Sequence, residues 1–566
     1  MFCMQSFTHV DIMTDDLFPA LRSLLCLPPN QRHFKDILTL LLGAETEHQD
    51  TLFDYAQTHL ADWSPIHRAL STRDALFRDN DTHTQPFQLV RSFCFDESWP
   101  NKSKVKKILH LPITHLQLHF ITESGNKSLA SCFKKFSDTF LKQIEDLELL
   151  HIHKQDTNDP HPAIFSLFSR GCFENLHRLR FDSGILKAEH LQELLGFQGV
   201  QNLQVLSLCD NAPGVEGIEA LANTPFQHLK ELYLEAAGLD ATCMGILVQA
   251  PFFPQLKKLD LYNNYSSGER GIRDEGVIAF SEGLKNTDCS LEELSFGNCS
   301  LTDKSAQALA EVDGLSGLTQ LDLSTNDIGA DGFQAIASSP SFSSLKRLDL
   351  QSTRPSEDSL KVLLSSSTLT QLETLNLYDS HVQDAHLLGL EDMEQHLPKL
   401  HSLDVSNNQI STKGLIALSQ APQLSTIRDL DLGNNAIDDE GLKALLSSPH
   451  LESLTSLRLN WASITNEGLQ ALTQSPKLSQ LTILSITGCN IDNEGIKMLA
   501  TSPHMANIEH LFATSTNLND GCIEDLLNAS FAGSLQYLSI SNISRENASK
   551  LENSDRFVNL WRVELL

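Results

Sequence analysis

A chain of 566 residues, 41% hydrophobic and 20% charged, has globular composition and could form several ordinary domains or one extended array whose units pack only on their neighbours. Its formal charge of −30 repels phosphate backbones and anionic lipid, which rules against nucleic acid and membrane surfaces and favours a basic protein as partner. The eleven cysteines form no CxxC pair, no basic-then-apolar leader opens the chain, and no apolar run approaches the ~18 residues of a membrane helix, which points to free thiols in a cytoplasmic chain, or one exported without a cleavable signal.

Residues 1–88 lack the pattern of the rest. Asp15–Leu27, Gln31–Ala44, Asp50–Trp63 and Pro65–Phe77 read as short amphipathic helices, the last opened by Ser64 as cap and Pro65 at the first helical position. The expectation is an N-terminal helical cap, or a small helical domain, over 1–88. It would cover the first apolar face of an array that occupies 89–566.

From there the pattern L-x-x-L-x-L-x-x-N/C-x-I/L recurs. Clear copies are Leu318–Leu321–Leu323–Asn326–Ile328, Leu400–Leu403–Val405–Asn408–Ile410, Ile427–Leu430–Leu432–Asn435–Ile437 and Leu481–Leu484–Ile486–Cys489–Ile491. The second leucine of each unit runs from Leu179 through Leu206, Leu232, Leu259 and Leu294 to Leu538 in steps of 26–28 residues, with one step of 35. Weaker copies centre on Phe93, Leu116 and Leu150, and one more on Val563. Self-similarity at such a period predicts an α/β leucine-rich-repeat horseshoe solenoid of about 17–18 units, with a parallel sheet on the concave side and helices on the convex side.

Each unit has a physical logic. L-x-L alternation makes a short strand with leucines inward. Acidic turns such as Asp438-Asp439-Glu440-Gly441 suit a helix N-terminus, where the dipole favours negative charge. The helix carries one apolar stripe, as in Gly441-Leu442-Lys443-Ala444-Leu445, and a proline stops it, as at Pro340, Pro422, Pro449, Pro476 and Pro503.

These motifs resemble the ribonuclease-inhibitor-like class of leucine-rich repeats over residues 90–566. The "SSP" and "QSP" helix ends are also similar to large uncharacterised bacterial leucine-rich-repeat proteins, and Thr487-Gly488-Cys489-Asn490-Ile491 to the repeats of F-box proteins, although no F-box precedes the array. The first resemblance implies a binding protein, and in particular an inhibitor of a basic enzyme.

The outward position between each pair of inward leucines forms a column across the sheet. It includes His151, Arg180, Tyr233, Asp260, Asp322, Asp349, Asn376, Asp404, Asp431, Arg458 and Phe512. Lateral neighbours Asp322 and Asp349, and Asp404 and Asp431, concentrate negative charge. With Tyr262, Tyr378 and Trp461 nearby, the set Tyr233, Asp260, Tyr262, Asp322, Asp349, Tyr378, Asp404, Asp431, Arg458 and Trp461 makes an acidic–aromatic surface for a protein partner, expected to be basic. Tyr265 and Arg270 join it from an insertion between Asn264 and Ile272, a contact loop on a rigid scaffold. L-D-L-S is also a common way to write this repeat, so part of the column belongs to the fold.

A second column runs Asp96, His119, His153, Asp182, Cys209, Glu235. His119, His153 and Asp182 could hold a transition metal and support metal-dependent catalysis, or they are ordinary surface residues. No P-loop, HExxH, GxSxG elbow or zinc-spaced cysteine set is present. The expectation is a protein-binding chain without enzymatic activity, resident metal or cofactor.

Overall fold

The computed structural model describes residues 111–119, 136–150, 161–182, 186–265, 271–285, 287–393, 397–560 and 562–565 continuously, and before them 34–35, 37–38, 41, 56–57, 60, 69–71 and 92–95. The chain divides into two compact units, Phe2–Gly271 and Ile272–Leu566, and the division falls at the insertion seen in the sequence.

In the first unit the described strands are Ala69–Ser71, Ser92–Phe95, His115–His119, Asp146–Leu150, Arg178–Asp182, Val205–Ser207, Glu231–Tyr233 and Lys258–Asp260. Each pairs in parallel with the next. In the second unit the strands are Glu293–Ser295, Gln320–Asp322, Arg347–Asp349, Thr374–Asn376, Ser402–Asp404, Asp429–Asp431, Ser456–Arg458, Ile483–Ser485, His510–Ala513, Tyr537–Ile540 and Arg562–Leu565. They too pair in parallel in chain order. Nearly every strand is followed by a helix and a return to the next strand, the connection that parallel neighbours require.

Two features of the first unit depart from the sequence reading. The stretch Pro65–Phe77, expected as a helix, contains strand Ala69–Ser71, the first rung of the ladder. Its Ala-Leu-Ser has no second inward leucine to announce it. The unit expected to centre on Leu150 centres on Leu147, which aligns with Leu116 on one side and Leu179 on the other. Two L-x-L frames compete there, Leu147-Glu148-Leu149 and Leu150-His151-Ile152. The first is chosen because Glu145 and Asp146 both donate to the Thr114 carbonyl and so start the strand at Asp146. Of the N-terminal helices, helical positions are described at 34–35, 37–38, 41 and 56–57, and Phe34, Ile37, Leu38 and Leu41 are fully buried, the i, i+3, i+4, i+7 stripe of an amphipathic helix.

Burial of the leucines holds each unit together. Leu321 and Leu323 lie in the core while Asp322 between them reaches the outer face, and the same alternation recurs at Leu403–Val405 and Leu430–Leu432. Each such side chain contributes roughly 1.5–3 kcal/mol when buried. The consensus asparagine closes the turn after the strand. Buried Asn326 accepts from the amides of Cys299 and Leu301 and donates to the carbonyls of Phe296, Leu323 and Ser324, at 2.9–3.1 Å. Cys489 takes the same place and donates Sγ–H to the Leu459 carbonyl at 3.1 Å.

The helices follow their sequence signals. Asp438, Thr465 and Asp492 cap their N-termini through side-chain oxygens that accept from Glu440, Glu467 and Glu494 amides. Leu442, Leu445 and Leu446 form the buried stripe of helix Asp439–Ser447. Pro340, Pro422, Pro476 and Pro503 each open a short 3-10 turn that leads back toward the sheet. Among the described residues, no helix is long and apolar enough to cross a membrane.

Candidate functional site

Outward residues of the second unit form one lateral column: Ser295, Asp322, Asp349, Asn376, Asp404, Asp431, Arg458, Ser485, Phe512, Ser539 and Glu564. Asp322 lies beside Asp349 and Asp404 beside Asp431, as the repeat spacing predicts. In the first unit Tyr233 aligns with Asp260.

The carboxylates have a local role that the pattern alone does not reveal. Each accepts from the amide two residues on: Asp260 from Tyr262, Asp322 from Ser324, Asp349 from Gln351, Asp404 from Ser406 and Asp431 from Gly433, at 2.9–3.1 Å. Asn376 does the same for Tyr378. These are Asx-turns that bend the chain out of the strand, so an Asp or Asn at this place is favoured by the fold itself.

What the turns leave over differs along the column. Asp322 Oδ2 accepts from Ser295 Oγ at 2.7 Å, and Asp349 Oδ2 from Asn376 at 3.0 Å. For Asp404 and Asp431 the bonds all fall on Oδ1. The Asp431 carboxyl is pushed up to about 6, by burial first and by the charges of Asp404 and Asp429, against the opposing pull of Gly433 N–H and Arg458. Asp349 is raised as well, by burial first and then by Asp322 and Asp404. Negative charge is crowded here, and a cation would relieve it.

The remaining expected residues fall into three groups. Tyr378 and Trp461 are exposed, Trp461 at 59%, in loops directly after strands Thr374–Asn376 and Ser456–Arg458. Arg458 and Tyr233 are engaged within the chain: Arg458 Nη1 bonds Asp429 at 2.7 Å, while Tyr233 donates to Glu231 at 2.9 Å and lies under the Lys258 ammonium. Tyr262 is half-buried and Tyr265 exposed at the start of the insertion, whereas Arg270 lies outside the described residues. Sequence reasoning passed over an aromatic pair, Phe512 and Tyr537, with ring centroids 5.2 Å apart. Its signal was Phe512 interrupting a polar column.

Trp461 has an unusual backbone. The residue at this place in successive units adopts a left-handed conformation: Thr325, Ser352, Asp379, Asn407, Asn434, Trp461, Gly488 and Ser515 all have positive φ. Small polar residues or glycine tolerate that region, and a bulky one is an outlier. Trp461 occupies it at φ 59°, and a Cβ on Gly488 would collide with its ring.

Of the expected metal set, His119 and Asp182 stand two strands apart with Leu150 between them in register, because the strand is framed on Leu147 rather than Leu150, and His153 lies outside the described residues. The same shift replaces His151 in the outward column by Glu148. Asp182 instead accepts from Ser207 Oγ at 2.7 Å and the Cys209 amide at 3.2 Å. Burial pushes the thiols of Cys209, Cys243 and Cys522 up to about 11 and Cys489 to about 12, so none of these four is a thiolate nucleophile at neutral pH.

A short parallel strand, a turn closed by Asn or Cys, a helix and a return repeated at this period define a leucine-rich-repeat protein, and these repeats are of the ribonuclease-inhibitor-like class. The family model described as Leucine Rich repeat matches residues 287–310, 317–337, 396–419, 423–446, 450–472 and 478–500. The chain is similar to the ribonuclease inhibitor of Mus musculus, 31% identical over 137 residues, or 23% of this chain and 29% of that protein. It is also similar to NACHT, LRR and PYD domains-containing protein 3 of Mus musculus, 29% identical over 160 residues, or 27% of this chain and 15% of that protein. The chain thus spans less than a third of either relative's length. A Listeria monocytogenes internalin superposes with a TM-score of 0.37 at 18% identity, over 65% of this chain and 89% of that one.

Proposed function

We propose that this chain is a protein-binding scaffold whose second unit takes a basic partner on the outer face of its sheet. The observation that carries the proposal is the pair Asp404 and Asp431. They are lateral neighbours whose Oδ1 atoms hold Asx-turns, and the Asp431 carboxyl is pushed up to about 6. An arginine or lysine placed there gains charge-assisted hydrogen bonds and relieves carboxylate repulsion together. Trp461, in the loop after the next strand, adds an exposed aromatic surface to the same run of repeats. A pre-organised surface of this kind avoids most of the ordering cost of a flexible binder, and the −30 charge should speed encounter.

A narrower reading makes the partner a basic enzyme that is inhibited on binding, and the match to a ribonuclease inhibitor supports it. The chain acts in either case as a binding protein without turnover, in a cytoplasmic setting.

The test is affinity capture from native extract at low and moderate salt, with a variant carrying Asn at Asp322, Asp349, Asp404 and Asp431 in parallel. Asn preserves the turn-closing acceptor and removes the charge. A basic protein held by the wild type, released by salt and lost by the variant supports the reading. Equal retention by the variant overturns it. Addition of the chain to a ribonuclease assay then separates inhibition from simple binding.

A further inference from the structure

The first unit carries a cluster that neither the acidic column nor the repeat pattern explains. His115, Asp146 and Glu148 stand on neighbouring strands, and ligand-capable atoms of all three lie within 4.8 Å of one another. His115 and Glu148 are 4% and 6% exposed, and Asp146 is half-buried. The His115 Nδ1 lies 3.0 Å from Asp146 Oδ2, which fixes the ring with its proton on that nitrogen. The lone pair of Nε2 is thereby left on the other side, 3.9 Å from Glu148 Oε1.

Two atoms of this cluster have no hydrogen-bond partner despite complete burial: His115 Nε2 and Asp146 Oδ1. An orphaned buried polar atom is costly, so two in one cluster call for something that offsets them. Both are acceptors when the ring is neutral, and a third acceptor, Glu148 Oε1, faces them. A cation between His115 Nε2 and Glu148 Oε1 satisfies both of these, and its charge offsets the nearby Asp146 carboxylate.

The charges around the cluster are arranged to hold it without filling it. Gln117 donates to Glu148 Oε2 and orients that carboxylate. Arg178 Nη1 and Arg180 Nη1 stand 3.7 and 3.9 Å from Asp146 Oδ2 and Glu148 Oε1, beyond hydrogen-bond reach. Arg180 is directed by its Nε toward Asp182, at 3.2 Å. Both arginine side chains are half-exposed, at 52% and 44%. Counting Asp146, Glu148 and Asp182 against the two arginines, the site stays net negative with a neutral histidine.

We propose that His115 Nε2 and Glu148 Oε1 hold a divalent first-row transition ion, with zinc as the best fit, while Asp146 orients the imidazole from its Nδ1 side. An imidazole nitrogen beside a carboxylate suits such an ion, whereas calcium prefers oxygen ligands throughout. Ligand bonds of about 2.0–2.2 Å place two donors on one ion roughly 3–4 Å apart, close to the 3.9 Å between Nε2 and Oε1. The Nδ1–H···Asp146 contact is the support that metal-bound histidines commonly receive.

The full chain, stripped with chelator, is titrated with Zn2+ by calorimetry and with Co2+ by visible absorption. The expected result is one tight equivalent per chain, with a cobalt d–d band, and a thermal midpoint that rises by several degrees with zinc. Glu148→Gln and His115→Ala should weaken that equivalent at least tenfold and abolish the zinc-dependent rise, while His510→Ala, on a strand of the second unit, changes neither. Melting in chelator shows that each variant is folded. Absence of a stoichiometric equivalent, its survival in both Glu148→Gln and His115→Ala, or a preference for Ca2+ overturns the proposal.

Discussion

Asp439 and Gly468, in helices of successive repeats, fit together because Gly468 has no side chain: a Cβ there would stand inside the contact distance of Asp439 Oδ1. The space lets Asp439 bond the next repeat, accepting from the Thr465 amide at 2.9 Å and the Thr465 hydroxyl at 2.6 Å. Asp384 does the same for Ser411 and Gly414, and Asn466 crowds Gly495 in the same way. The glycine of the Gly-Leu-x-Ala-Leu signature is therefore an interface residue between repeats. In an isolated helix, Gly→Ala stabilises by roughly 1 kcal/mol. Here the sign reverses, and Gly468→Ala should destabilise by about 1–3 kcal/mol through overpacking. Denaturant melts of Gly468→Ala, Asp439→Ala and the double variant measure the coupling. A double variant less damaged than the sum of the singles shows that the two residues meet as described.

The turn-closing asparagine permits a second stability prediction. Asn326→Ala removes two accepted and three donated bonds and leaves the amides of Cys299 and Leu301 and the Phe296 carbonyl without their partner in a buried turn. Each orphan costs roughly 1–3 kcal/mol. The loss should total about 3 kcal/mol or more. Cys489→Ala at the equivalent place removes only the weaker hydrogen bonds of a sulfur atom and should cost clearly less. Urea unfolding of the two variants side by side checks the order, and equal losses would mean that the asparagine ladder does not organise the turns.

The ladder was legible because a leucine every 27 or so residues leaves one register open, and from Leu294 to Leu538 that register is the one observed. It failed where the pattern was degenerate. Leu147-Glu148-Leu149-Leu150 offers two frames three residues apart, and only hydrogen bonding to Thr114 decides between them. That slip changed which side chains meet: His115, Asp146 and Glu148 come together on neighbouring strands, while His119 and Asp182 stand either side of Leu150 in register. The Asx role of the Asp column was hidden because it depends on the bend after the strand, where a side chain meets an amide two residues on. Engagement of Arg458 with Asp429 was equally hidden, since either could have turned to solvent.

Asp431 predicts a pH dependence of stability. Its folded-state value of about 6 lies above the ordinary 3.8, so the native state holds the proton more tightly than the unfolded chain. The group's contribution is then fully present below about pH 4 and is lost as pH rises through about 6. Asp431→Asn keeps an acceptor for the Gly433 amide and cannot ionise. It should raise the melting midpoint relative to wild type at pH 7.5, with the difference vanishing near pH 4. A basic partner reverses the balance by favouring the carboxylate, so affinity should increase between pH 5 and 7, by up to about tenfold per unit of pKa that binding lowers. Calorimetry in buffers of different ionisation enthalpy would register the released proton, and a pH-independent affinity would place the partner away from Asp431.

Trp461 separates stability from binding most sharply. Holding a large side chain in the left-handed region costs on the order of 1–2 kcal/mol, and neighbouring repeats fill the same place with Asn407, Asn434 and Gly488. Fold stability alone would select asparagine there. A tryptophan 59% exposed at a strained position, with Gly488 clearing room for its ring, fits a surface anchor for a partner. Trp461→Asn should leave the melting midpoint unchanged or raise it, and should weaken the captured partner by about 2 kcal/mol or more, the scale of an interface hot spot. The result that sinks the assignment is the opposite pairing, a lower melting midpoint with undiminished binding, for then the indole packs on the Gly488 turn as part of the fold.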